Sequence, residues 1–490
     1  MKKSIFILAF LLSLLAISAC AEEAFLQSDD FSYILLEDGT AEITGTTFEG
    51  DALLIPEALD GHAVTGIGDA AFYGVKSFAT VSIPECVTSI GKEAFYDCDG
   101  LETVYIPESV KNIGASVFGS CAALKEIQVS PDNEYYTDIR GVLFNKPEKK
   151  LVAFPGLYKH SAYAIPEGVQ AIEESAFHSC YSLNILFIPE SVTEIGDYAF
   201  YKCRNLIDIQ LPQGITRIGK FVFAECESLL GIILPESVLE IGEGAFMNCH
   251  ALGQIAIPTG VQEILPSTFE SCKSLDDVSI PESVNKIGNR AFYSCKSLYD
   301  IEIPESVTEI GDEAFAWCES LFAISSPDSL TSIGQSVFLG CKALSSFFIP
   351  DGITEIKAST FEGCEAAEII DVPDSVVSFG DRAFAYCRAL SSIHIPEGVT
   401  SIGDSVFYNC DNFTFVELPE SMTSLGNLSF YGCDYLETVS IPAGVQHIEA
   451  NAFEKCGEVE FMAERGSYAL SWAKEMGVGY FYPDSLDWLK

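Results

Sequence analysis

The chain of 490 residues carries 17 Cys and 71 Asp+Glu, and most of the cysteines, with one column of the carboxylates, recur at one spacing. A cysteine returns every 23 residues at Cys98 and Cys121, and again from Cys180 to Cys456, fifteen positions in all. Cysteines in that number could form disulfides, hold a metal or remain free thiols. A metal centre is disfavoured, because no C-x-x-C occurs and the six histidines (His62, His160, His178, His250, His394, His447) are scattered. Each repeated Cys lies between a Phe column and a Leu column, where it fills a core as a small hydrophobe. Stacked copies would bring neighbouring Cα atoms within disulfide range, but with parallel Cβ vectors, a strained geometry. A ladder of free thiols is therefore expected, with no metal and no cofactor.

The carboxylates have a column of their own. The residue after the repeated proline is acidic in 12 of 15 units, among them Glu85, Glu190, Glu305 and Asp374. Carboxylates stacked one unit apart could supply oxygen ligands to Ca²⁺. The other reading is a solvated edge that keeps an apolar-rich chain soluble. A net charge of −44 repels phosphate backbones, so nucleic acid is not an expected partner. No Ser/His/Asp trio, paired-acid cleft or Gly-rich phosphate loop stands out from the repeat, and the chain is not expected to be an enzyme.

The elements behind these columns follow from one unit, Ile303 to Ile324. Prolines recur every 23 residues from Pro166 to Pro442, with Pro84 and Pro107 a further pair. A Phe follows each by eleven residues and a Cys by fourteen. In Ile301-Glu302-Ile303 the alternation reads as a short strand with one buried face. Pro304 closes it, Ser306 suits a tight turn, and Val307 and Ile310 point inward. Gly311 allows a bend, after which Ala314 and Phe315 turn the chain back through the core. One unit cannot bury its own face, and a period in this range means a solenoid. The expected fold is a repeat solenoid: a leucine-rich-repeat-type, right-handed curved rod with a parallel β-sheet and 23-residue rungs, capped at both ends.

Residues 1–19 read as an export signal, with two lysines, an apolar run Ile5–Ala16 and small residues before Cys20. Ile17-Ser18-Ala19-Cys20 resembles a lipobox, which makes Cys20 the lipidation site. The competing reading is cleavage at Ala19-Cys20-Ala21 and plain secretion. Residues 20–55 hold a hairpin cap around Asp38-Gly39, and residues 56–129 hold repeats, the first lengthened by the loop Asp60-Gly61-His62-Ala63. Residues 130–165 break the period. There Asp138–Phe144 and Leu151–Phe154 read as two strands around a turn at Asn145–Lys150, with Lys125, Lys146, Lys149, Lys150 and Lys159 forming a basic protrusion. Thirteen regular repeats fill residues 166–456. Residues 457–490 form a second cap, a helix over Glu464–Met476 and a strand over Val478–Tyr482.

The pattern Leu-x-x-Ile-x-Ile-Pro-x-x-Val-x-x-Ile-Gly-x-x-Ala-Phe-x-x-Cys resembles the BspA-like leucine-rich repeat family of bacterial surface proteins, over about residues 31–482. The Asp-Gly hairpin, the Gly141–Phe144 segment and Gly466–Ala469 look like parts of that family. Leu265 and Lys357 depart from it at the repeat Gly, and Ala367 at the repeat Leu. The resemblance implies an exported, surface-displayed protein that binds host matrix or other bacteria, and it transfers no catalytic residue. The expectation is a monomeric, non-catalytic binding or adhesion protein that takes a protein ligand and meets the membrane only through Cys20. The alternative is a structural cell-envelope spacer. Outward strand positions are mostly polar or small (Gln254, Ser279, Ser325, Ser392, Ser440). The exceptions, Ile185 with Phe187, Ile233, Phe348 with Ile369, and Phe415, are the candidate ligand contacts. An acidic block, Asp277, Asp300 and Glu302, lies among them and could receive a basic partner.

Overall fold

A computed structural model describes residues 25–484, so the export segment and Cys20 lie outside the described residues. The chain divides into two compact units. One runs up to Pro147 and includes Val152–Leu157; the other comprises Glu148–Leu151 and Tyr158 onward. Each is a parallel β-solenoid whose successive rungs pair 23 residues apart, as in Thr103 with Glu126 and Ile185 with Asp208.

Most rungs carry more strand than the Ile-x-Ile alternation predicts. One ladder is the expected one, for example Asp277–Ser279, exposed–buried–exposed. A second ladder, of two-residue strands, forms at the Thr-x-Ile step: Lys286–Ile287, Glu309–Ile310 and Ser332–Ile333 pair in parallel. The turn that follows makes a third set of rung-to-rung bonds. The amides of Glu313, Phe315 and Trp317 donate to the carbonyls of Gln335, Val337 and Leu339 at 2.9, 3.1 and 2.6 Å. To aim alternate amides this way, Glu313 and Trp317 take left-handed backbone conformations, with φ of 55° and 63°. That costs an L-residue roughly 1–2 kcal/mol each. The same two positions are left-handed in most other rungs, whatever residue occupies them.

Two features of the unit have different causes from those expected. Gly311 is not there to bend the chain. A Cβ on it would lie 2.7 Å from the Asn289 nitrogen and 2.8 Å from the Gly288 carbonyl carbon, so a side chain at Gly311 would force the adjacent backbones apart. Ser306 does more than turn the chain, since its hydroxyl donates to the Val284 carbonyl one rung back; Ser283 and Ser329 do the same at 2.6 and 2.7 Å. The side chain after the Gly also reaches across: Asp312 accepts from the Gln335 amide at 2.9 Å. Where Leu265 and Lys357 replace Gly, Thr268 and Thr360 replace the repeat Ala, and each hydroxyl bonds the Leu265 or Lys357 carbonyl.

The core is a stack of rings. In the first unit Phe72, Phe95 and Phe118 lie 5.0 and 5.6 Å apart. In the second the stack runs from Phe177 to Phe453, with spacings such as 5.2 Å and 4° for Phe292–Phe315. The cysteine column runs beside it. None of the 16 cysteines among the described residues forms a disulfide. Each ladder thiol from Cys203 to Cys456 donates to the Phe carbonyl 26 residues back, as Cys318 does to Phe292. Burial pushes the Cys318 thiol up to about 12 and raises its neighbours as well.

The irregular segments differ from expectation mainly at their turns. Phe31–Leu35 and Ala41–Thr46 form the expected hairpin, and Leu26–Ser28 adds a third antiparallel strand. The lengthened first unit closes as a small hairpin, Ala58–Leu59 against His62–Ile67. The expected single strand Asp138–Phe144 is instead a hairpin of its own. Tyr136–Ile139 pairs with Val142–Asn145 around Arg140-Gly141, whose φ values are 57° and 82°. Lys150–Ala153 joins the second ladder through Lys150↔Ala171. The basic segment is partly neutralised: Lys150 pairs with Glu148 and Glu173 and Lys125 pairs with Glu102, while Lys146 donates to the Asn133 carbonyl. Helix α1 spans Tyr468–Met476, shorter than expected because Ser467 caps it, accepting from the Leu470 amide, while left-handed Gly477 ends it. Its Trp472 stacks on Phe461 at 5.6 Å and meets Phe453, the last ring of the core stack. The strand Gly479–Phe481 follows.

Candidate functional site

In the second unit the first ladder pairs short runs of two or more rungs in register, and outward side chains of successive rungs fall into columns. Ile185 sits opposite Asp208, Phe187 opposite Gln210, Gln254 opposite Asp277, and Ser346 and Phe348 opposite Ile369 and Asp371. The residue between each outward pair is buried, as Leu186 and Ile370 are. Period-2 alternation therefore forces the flanking residues into solvent.

Phe187, Phe348, Ile369 and Phe415 are exposed, Ile185 is nearly two-fifths exposed, and Ile233 reaches 86 %. Asp277, Asp300 and Glu302 are also exposed. Ile185, Phe187 and Ile233 share three consecutive rungs. At the third, pairing lapses to a single bridge, Gly231–Gln254, because Gly weakens a strand. A depression of about 490 Å³ opens there, lined by Asp208, Gln210, Gly231, Ile233 and Gln254. A second, of about 300 Å³, continues from Ile233 to Asp277 and Ser279. Phe348 and Ile369 sit on adjacent rungs in different columns. Phe415 stands apart from them, since the intervening rung at Ser392 forms no strand.

Sequence reasoning missed a further column, the residue just ahead of each strand. Ile207 and Leu230, 40 % and 62 % exposed, extend the first apolar group. Tyr299 and Phe322, both exposed, stack at 5.5 Å and 5° beside the acidic block and continue toward Phe348. The signal was present in the repeat: the residue after the buried Leu is polar or small in most rungs and apolar at these four.

The acidic column after the prolines is not built as a cation cage. Glu190 accepts from the Gln213 amide at 2.9 Å, and Glu236 and Glu397 likewise bond amides of the next rung. Among the described residues no group of three or more His, Cys, Asp or Glu is placed to hold a metal ion. What the sheet face offers chemically is rings, branched aliphatics and carboxylates, which make non-covalent contacts.

The chain matches the family model described as "BspA type Leucine rich repeat region", in segments 61–152, 150–276, 262–389 and 354–463. No curated protein matches it. Among solved structures it is similar to a leucine-rich repeat protein from Bacteroides ovatus, at 26% identity over 93% of this chain and 99% of that one, with a TM-score of 0.49. A leucine rich cell surface protein from Faecalibacterium prausnitzii is 26% identical over 91% and 96%, with a TM-score of 0.39. The pneumococcal vaccine antigen PcpA is 18% identical over 64% and 99%, with a TM-score of 0.37.

Proposed function

Because the chain belongs to the BspA-type leucine-rich repeat family, we propose that it is a surface-displayed, non-catalytic binding protein. Its partner in this reading is a protein of host matrix or of another bacterium. The observation that carries the proposal is the group Ile185, Phe187, Ile207, Leu230 and Ile233, all exposed on adjoining rungs of one sheet face. Folding gains nothing from holding such side chains in water, and contiguous exposed apolar patches tend to mark contacts. Display at the surface is supported by the family and by the cell-surface description of the Faecalibacterium prausnitzii protein. Anchoring is assigned to Cys20, with Cys20→Ser expected to abolish acylation and release the chain from the membrane fraction. A mature N-terminus at Glu22 without lipid mass would exclude that anchor.

The test is capture of partners by the exported full chain from panels of matrix proteins and whole bacteria, repeated with Phe187→Ser/Ile233→Ser. Loss of about tenfold or more in affinity is expected, since anchors at an interface typically contribute at least 1–2 kcal/mol. Unchanged capture by the folded double variant would remove this face from the function.

A further inference from the structure

We propose that the sheet face of the second unit takes a cationic protein segment, one whose basic block is flanked by apolar side chains. This deepens the binding reading above and rests on it. The argument begins with where the chain puts its own positive charge. Across residues 184–443, four columns make up or border the face: the residue ahead of each strand, the two outward strand residues, and the residue after the proline. None of these positions holds Lys or Arg, and His394 is their only basic side chain.

Many of the unit's cations lie instead on the second ladder and the turns, where carboxylates of neighbouring rungs pair with them. Arg217 meets Glu240 at 3.2 Å, Lys286 meets Glu309 at 2.9 Å, and Lys296 meets Glu319 at 2.7 Å. On the sheet face the acidic block is left without counter-charge. Asp276, Asp277, Asp300 and Glu302 are exposed, and among the described residues none of them forms an ion pair. Asp277 and Asp300 occupy the same column on adjacent rungs, in neighbouring strands that do not pair, and like charges so placed repel. Elsewhere on the unit the chain supplies the opposite charge to such columns; here a partner would have to.

Apolar surface lies on both sides of this block. Ile233 and its depression sit on one side, and the stacked pair Tyr299–Phe322 with Phe348 on the other. A purely basic ligand would leave those rings in water, and a purely apolar one would bury the carboxylates unpaired. A Lys/Arg block between apolar side chains satisfies both.

Three short synthetic peptides test this by fluorescence anisotropy on the exported full chain: a Lys/Arg block with Leu/Phe flanks, the same flanks around a Glu block, and the Lys/Arg block with Ser flanks. The first should bind tightest. Its affinity should fall as salt rises from about 0.01 to about 0.15 M, because the Debye length shrinks from about 30 Å to about 8 Å. The triple variant Asp277→Asn/Asp300→Asn/Glu302→Gln should bind it about tenfold more weakly. Glu458→Gln/Glu464→Gln/Glu475→Gln removes equal charge from exposed sites elsewhere and should change affinity by less than about twofold. Equal weakening by the two triple variants, equal binding of the Glu-block peptide, or undiminished binding of the Ser-flanked peptide would each overturn the proposal. So would salt-independent binding to the unsubstituted protein, a measurement that needs no variant. If neutralising the three carboxylates leaves a captured natural partner bound while Phe187→Ser/Ile233→Ser releases it, this inference fails and the binding reading stands.

Discussion

The thiol of Cys318 donates to the carbonyl oxygen of Phe292, 3.1 Å away and one rung back, and that carbonyl also accepts the Cys295 amide at 3.1 Å. Both lone pairs of a buried oxygen are thus used, one within its rung and one by the next. Ala at this position would leave the thiol's share unmet and open a small void. We expect Cys318→Ala to cost about 1–2 kcal/mol in denaturant unfolding. Cys86, partly exposed and outside the ladder, with its thiol 3.7 Å from the Glu57 carbonyl at the surface, should tolerate Ala within about 0.5 kcal/mol. Equal effects at the two sites would mean that the buried thiol bond contributes no more than the exposed one.

The ladder also sets an alkaline limit. Burial raises the Cys318 thiol to about 12, above the unfolded value of about 8.5. A raised thiol keeps its proton when folded and loses it when unfolded. Its contribution is therefore complete below about pH 8.5 and is lost as pH rises toward 12, at about 1.4 kcal/mol per thiol per pH unit. Thermal melts in reductant should be flat from pH 7 to 8 and fall steeply above pH 9. At pH 8 a thiol reagent should reach the partly exposed Cys86 and Cys456 in the native protein, and the remaining ladder only after denaturation. A melting temperature unchanged to pH 10 would contradict the buried-thiol account.

Two phenylalanines should separate core from face. Phe315 is fully buried between Phe292 and Phe338, at 5.2 and 6.0 Å, and its replacement by Ser should cost about 3–5 kcal/mol. Phe348 is 59 % exposed, so Phe348→Ser should alter stability by no more than about 0.5 kcal/mol. Circular-dichroism melts of both variants decide the matter, and comparable losses would mean that Phe348 is covered.

Gly311 and Gly231 should respond in opposite ways to Ala. At Gly311 the new Cβ meets backbone of the preceding rung at 2.7 Å, and rungs must move apart, at about 1–3 kcal/mol. At Gly231 a Cβ meets nothing within 4 Å, and Ala should be neutral or stabilise by up to about 1 kcal/mol. Paired unfolding curves in denaturant check the ordering.

What the sequence determined alone is whatever the 23-residue period carries inside one rung. Phe315 and Cys318 recur at fixed offsets from Pro304, and that is enough to predict a parallel solenoid with a ring column and a thiol column in its core. Alternation around Ile301 likewise predicts which side chains face out, and Ile233 and Phe348 are outward. What only the tertiary structure decided concerns residues 23 apart in sequence that become neighbours when rungs stack. Gly311 is explained by the backbone of Gly288 and Asn289, and Asp312 by the amide of Gln335. The left-handed conformations at Glu313 and Trp317 are explained by carbonyls of the next rung, and neither residue type signals them. The same holds for the face. Tyr299 and Phe322 stand out in the repeat as apolar residues after a buried Leu, but only the fold turns them outward to stack on one another. The charge partition arises in the same way, because whether a carboxylate meets a cation depends on which columns the turns bring together.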